Sequence, residues 1–366
     1  MILPTTYMAA LMLSIFTMIC WGSFANTQKM AGLKWRPELY YFDFSVGVFI
    51  CALIACFTFG SLNEAEITFR DSFFGIALRK VAWALGAGVV FNLGTVLTVS
   101  ASAMTGMSVA IPISLGVALI IGLGWNFFVN PVANPSMLFG GTVLVALAIA
   151  VLSIAYRAAR TAKRVADNRT SIPVAAKMEE SAVNPKGNRR KTKRGKMSPA
   201  TKGIIVSLIG GMLMGTLYPL ITTSMADDGL GIPSYTAGFF LSMGILVSTI
   251  VIVPFLMNFP LHGKPVDLAD YFKASRKQHI LGVIGGLIFF AGTMANIVAW
   301  SAPKSAGLGS SMVYALGGAA ILLSAFWGIF IWKEFEDAPS NVKIQVTAMT
   351  VMFAAGLTLI TLAPKY

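Results

Sequence analysis

Ten stretches of about twenty residues, each nearly free of charge, run along this chain at 8–28, 40–60, 81–103, 107–129, 136–156, 202–224, 236–258, 279–301, 307–332 and 344–363. A helix needs about 20 predominantly apolar residues to cross the hydrocarbon of a bilayer. The stretches therefore predict an all-α integral membrane protein with ten transmembrane helices, here spans 1 to 10. Composition agrees: 56% of residues are hydrophobic and 12% charged, and the mean hydropathy is +0.74, outside the range of soluble globular domains. No Lys or Arg precedes Lys29, so the first stretch lacks the cationic start of a cleaved secretory signal and is read as span 1.

The net charge of +13 sits mostly in one connector and is not spread as a nucleic-acid surface would be. That connector includes NPKGNRRKTKRGK and has almost no large apolar residues, so it cannot bury enough surface to fold alone. It divides the chain into a first five-helix repeat at 1–157, a basic disordered linker at 158–201 and a second five-helix repeat at 202–366. All but five of the 28 Lys and Arg residues lie on the connectors 1–2, 5–6, 7–8 and 9–10; the five are Arg70, Arg79, Lys80, Lys304 and Lys365. The positive-inside rule then puts the linker in the cytoplasm and both termini outside, in a multi-pass protein of the plasma membrane, the inner membrane of a bacterium.

The two halves superpose as sequences. MLSIFTMICWGSF matches IVSLIGGMLMGTL, GVVFNLGTVLT matches GLIFFAGTMAN, and ALIIGLGWNFF matches AILLSAFWGIF, with Trp125 on Trp327. Five helices per half make successive halves insert in opposite senses, an inverted 5+5 repeat of the kind secondary transporters use. In such repeats the binding site is sought where corresponding helices are interrupted. Pro112 in span 4, Gly317 and Gly318 in span 9, and Pro219 in span 6 are the candidate breaks or hinges. Trp21, Ser23, Asn92, Thr95, Tyr218, Asn296, Trp300 and Tyr314 are the candidate substrate-binding residues. For any one of these amides, holding a ligand and tying helices together both remain open. No Lys or Arg lies in a span centre, so a small neutral polar solute is favoured over an anionic one.

Asp43, in LYYFDFSVG, is the single acidic residue placed within a span. Such a carboxylate faces the bundle or a water cavity, here either as a proton-coupling or substrate site or as a polar tie capping span 2. Cys20, Cys51 and Cys56 all lie in spans and read as packing residues. The only histidines are His262, in a connector, and His279, at the start of span 8. No Ser–His pair, H-E-x-x-H motif or metal cluster is legible, so no catalytic residue, metal or cofactor is expected.

In order, LYYFDFSVG, CFTFGS, GVVFNLG, GMSV, MGTLYPL, SYTAGFF, the proline of GKPVDLADYFK, and FWGIFIWKEF resemble the ureide permeases of the drug/metabolite transporter superfamily, over nearly the whole chain except the linker. The resemblance implies a ten-helix, proton-coupled symporter for allantoin or related oxo-heterocycles such as uracil and xanthine, embedded in the lipid bilayer. By the same resemblance Asp43 matches an aspartate before an aromatic, Tyr218-Pro219 a GTxYP motif, and Phe326-Trp327-Gly328 an F-W-G motif. Two features depart from the family pattern: the nucleotide-like Gly-Lys motif of the plant linker is missing, and Gly317-Gly318 replace more polar residues. Similarity to rhamnose and glucose/ribose porters keeps a sugar symporter as the alternative. A non-transporting receptor or scaffold working through the basic linker is a third reading.

Overall fold

The computed structural model describes the chain except residues 33–34, 63–67, 130–133, 171–197, 227–230, 304–309 and 364–366. Ten helices among the described residues are long and apolar enough to cross a membrane: Tyr7–Ala31, Pro37–Phe57, Leu78–Thr105, Met107–Trp125, Pro135–Ala162, Pro199–Met225, Ser234–Asn258, Arg276–Trp300, Met312–Ile331 and Ser340–Leu362. They are spans 1 to 10, each within a few residues of the stretch that hydropathy marks. The helix of span 5 continues to Thr170, through the first residues assigned to the linker; most of the rest of the linker lies outside the described residues.

Local chemistry sets the helix starts. Thr6 accepts from the Ala9 amide, Ser198 from that of Thr201, and Ser275 exchanges bonds with Gln278 in a capping box, each meeting an amide that the first turn leaves without a partner. Pro37 and Pro199 occupy first-turn positions that need no N–H donor. Spans 3 and 4 are separated by Gly106 alone, whose φ of 90° is a conformation that residues with a side chain rarely adopt.

The expected interruptions fall differently. The helix of span 4 runs unbroken through Pro112, and Pro219 is the third residue of its own helical segment, Leu217–Met225. Span 9 does divide, at Ala319, just after Gly317 and Gly318. A matched pair of breaks occurs instead in spans 1 and 6. Span 1 is interrupted at Phe24, between Tyr7–Ser23 and Ala25–Ala31, and span 6 at Thr216, between Pro199–Gly215 and Leu217–Met225. Phe24 carries no proline or glycine signal, so hydropathy alone does not reveal it.

Neighbouring spans meet backbone to backbone. Span 2 packs on span 8 and span 7 on span 3; span 1 packs on spans 8 and 9, and span 6 on spans 3 and 4; spans 5 and 10 pair with each other. At the crossing of spans 2 and 8, a Cβ on Gly47 would lie 2.1 Å from the Val283 carbonyl oxygen and one on Gly286 2.0 Å from that of Phe44. The corresponding positions of spans 3 and 7 repeat this contact, Gly244 against the Leu85 oxygen at 2.3 Å and Gly88 against the Leu241 oxygen at 2.2 Å. The same correspondence sets Gly22 against Leu323 and Gly215 against Ile121. Small residues let membrane helices approach this closely.

A methyl group at such a crossing has to push two backbones apart, which costs about 1–3 kcal/mol when it overfills a packed site. Gly286→Ala is therefore expected to lower the melting temperature by several degrees in detergent, whereas Gly140→Ala, with open space at its Cβ, leaves it unchanged. Equal melting of the two variants would contradict this packing.

Candidate substrate site

Spans 1, 3, 4, 6 and 9 enclose a central cavity of about 20 Å³ lined by Trp21, Phe91, Leu115, Ala118, Leu119, Met214, Leu217, Tyr314 and Gly318. That volume holds about one water, so the structure is closed around its centre. No charged side chain lines it, and aromatic rings form much of the wall. The Tyr314 hydroxyl donates to the Ala118 carbonyl across the bundle at 2.9 Å. Tyr218 lies 5.5 Å from Tyr314 and 4.8 Å, edge-on, from Trp300, ring centre to ring centre. Of the residues named from the sequence, Trp21, Tyr314 and Gly318 line the cavity, and Tyr218 and Trp300 form an aromatic cluster with Tyr314.

The other polar candidates divide by what their side chains already hold. Trp21 donates its indole N–H to Thr293 Oγ1 at 3.1 Å, and Ser23 Oγ accepts from Trp327 Nε1 at 3.0 Å. Thr95 donates to the Phe91 carbonyl one turn back. Asn92 is fully engaged: its oxygen accepts from the Tyr41 hydroxyl at 2.8 Å, and its nitrogen donates to Ser248 at 2.8 Å and Thr249 at 3.1 Å. It ties spans 2, 3 and 7 together. Asn296 is 1% exposed, yet neither its nitrogen nor its oxygen has a partner, and the same is true of Trp300 Nε1 one turn further along span 8. A buried polar group left unpaired costs about 1–3 kcal/mol.

Asp43 lies off the cavity, where spans 2 and 8 begin. His279 Nδ1 lies 2.8 Å from its Oδ2, and its Oδ1 accepts from the Tyr271 hydroxyl at 2.6 Å. Gly282 makes the room, since a Cβ there would stand 2.5 Å from that of Asp43. Tyr271 belongs to the short helix Ala269–Phe272 in connector 7–8; burial, and then its bond to Asp43, push its phenol above the ordinary value. In the sequence His279 stands at the start of span 8 and belongs to no catalytic or metal motif. Its partner is 236 positions away.

Glu334 is a second residue whose role sequence reasoning missed. It accepts from the amides of Met107 at 3.0 Å and Ser108 at 2.9 Å, from the Ser108 hydroxyl, and from Lys29. A carboxylate is favoured at the positive end of a helix, and this one joins the ends of spans 1 and 9 to the start of span 4. Just outside it opens a vestibule of about 460 Å³ bordered by Lys29, Trp35, Arg36 and His262. On the opposite side Lys80, 2% exposed, donates to the carbonyls of Thr223 and Ala226 at the end of span 6. Ties of this kind hold both mouths of the closed core.

Comparison with known proteins draws these features together. The profile of the ureide permease family matches residues 40–202. Ureide permease 2 of Arabidopsis thaliana is 22% identical over 95% of this chain and 94% of its own, and ureide permease 4 of the same plant is 24% identical over 94% of each. The chain is similar to the ureide permeases over nearly its whole length. Probable ureide permease A3 of Vigna unguiculata is 21% identical over 92% of this chain and 97% of its own. A protein crystal structure that is 13% identical and covers 97% of each chain superposes with a TM-score of 0.52, a likeness of fold. The family profile includes Asp43, Asn92, Thr95 and Pro112, while Tyr218, Asn296, Trp300 and Tyr314 are reached by the full-length relatives.

The three bonds of Asn92 give it a structural duty within the bundle. Asn92→Ala strands the Tyr41 hydroxyl and removes the tie to span 7, so the variant is expected to melt several degrees lower and to yield less folded protein. Unchanged melting of Asn92→Ala would show that its network carries no stability.

Proposed function

We propose that this chain is a ureide permease, a secondary transporter that carries a small, neutral, nitrogen-rich solute such as a ureide or nucleobase, coupled to protons through Asp43. The observation that carries the reading is the central cavity, aromatic-walled and free of charged side chains. Flat neutral rings suit aromatic faces, whereas an anionic solute would meet no countercharge. The relatives are named ureide permeases, which points to the same solutes. The matched glycine contacts of the two halves support a 5+5 inverted repeat flanking a basic linker. The charge bias of the connectors supports a cytoplasmic linker with both termini outside, in a plasma membrane that in a bacterium is the inner one.

Asp43 and His279 supply the coupling. A carboxylate and an imidazole in hydrogen-bond contact together exchange a proton at a site that span 8 connects mechanically to the cavity. Asp43→Asn preserves the shape and still accepts from Tyr271, but exchanges no proton. In vesicles reconstituted with the full chain, an imposed pH gradient is expected to drive accumulation of labelled allantoin by the unaltered protein. Asp43→Asn should retain solute exchange at equal concentrations and lose accumulation. Accumulation by Asp43→Asn equal to that of the unaltered protein would remove Asp43 from the coupling, and no allantoin movement by either would overturn the solute assignment.

A further inference from the structure

Five buried side-chain atoms among the described residues have no hydrogen-bond partner: Trp35 Nε1, Gln345 Oε1, Asn296 Nδ2, Asn296 Oδ1 and Trp300 Nε1. Three of the five fall on a single turn of span 8, where the Asn296 amide lies close to Trp21, a residue of the cavity wall. Gly317 is what admits the Asn296 amide there, since a Cβ on Gly317 would lie 3.0 Å from Asn296 Nδ2 and 3.4 Å from the Trp21 ring. Buried polar groups in folded proteins nearly all find partners. This bundle satisfies its other buried asparagine completely, as the three bonds of Asn92 show. Asn296 differs from Asn92 in packing against Gly317, which has no side chain to pair with it, and near the Trp21 ring of the cavity wall.

Resting on the solute assignment above, we infer that Asn296 and Trp300 read one edge of a planar amide ring. A carboxamide carries one acceptor and a donor in one plane; its complement is an adjacent C=O and N–H, the edge of a lactam or ureide. The indole N–H is a donor only, so Trp300 takes a second carbonyl of the same solute. Residues four apart on a helix are neighbours on one face, which sets both contacts along one side of the ring. Trp21, Tyr218 and Tyr314 then supply the aromatic surfaces. The closed cavity holds about one water, so the solute enters when the mouths part, and it meets three groups that the closed protein leaves unpaired. A solute that lacks the N–H leaves the Asn296 oxygen unpaired and is rejected; polar sites discriminate strongly in this way.

Thermal melting of the purified full chain in detergent separates this inference from its rivals. Uracil is expected to raise the melting temperature of the unaltered protein, while 1,3-dimethyluracil and rhamnose leave it unchanged. Asn296→Leu removes both unpaired atoms at similar volume, so without solute it should melt at or above the unaltered protein. It should need at least about tenfold more uracil for the same stabilisation, the worth of one or more hydrogen bonds, and Trp300→Phe should weaken the response in the same direction. If Asn296→Leu melts lower or fails to fold and the uracil response of Trp300→Phe is intact, the pair is structural and the inference falls. Equal stabilisation by uracil and 1,3-dimethyluracil overturns it as well. A response to rhamnose but not to uracil would instead overturn the solute assignment on which it rests, and the edge-reading with it.

Discussion

The close approach of span 2 to span 8 is the contact on which the rest of the structure depends. Gly47 and Gly286 bring the two backbones together, and because lipid tails are as apolar as leucine, such packing rather than water exclusion holds membrane helices in place. This crossing sets Asp43 against His279 at one end of span 8. Further along the same rigid helix lie Thr293, which accepts from Trp21, and then Asn296 and Trp300. Span 8 thus carries both His279, the partner of Asp43, and the unpaired Asn296 and Trp300.

The two halves share a scaffold and differ in chemistry. The glycine–carbonyl contacts of spans 2 and 8 recur in spans 3 and 7, and Thr95 and Thr293 each donate to the carbonyl of a phenylalanine one turn back. At the positions corresponding to Asp43 and His279 stand Phe240 and Val81, and Thr98 corresponds to Asn296. Thr98 meets its own need through the Gly94 carbonyl at 2.9 Å; Asn296 has no partner. The Asp43–His279 pair, which bridges the two halves, and the open amide of Asn296 therefore have no counterpart at the corresponding positions.

Much of this was legible in the sequence. The bilayer forces long apolar runs, so all ten spans stand out, and Asp43 is conspicuous as a carboxylate among them. The partners of Asp43 were not legible, because His279 and Tyr271 are more than 200 positions away and meet it only through the crossing of spans 2 and 8. Asn92 and Asn296 look alike in sequence. What separates them is tertiary: Tyr41, Ser248 and Thr249 converge on one, and a glycine and an indole ring surround the other. Proline pointed to a break in span 4 that the helix absorbs, while the break at Phe24 carries no residue signal at all. Glu334, which in the sequence is only one more charge beyond the end of span 9, is claimed by the start of span 4 and by Lys29.

The central claim is that this protein leaves an amide unpaired so that a solute completes it. A cryo-electron-microscopy map of the full chain in lipid nanodiscs with saturating uracil tests it most directly. The account predicts ring density beside Trp21 and Tyr314, with one edge within hydrogen-bond distance of both amide atoms of Asn296. Density lodged elsewhere in the bundle, with Asn296 paired to another protein group, would contradict it.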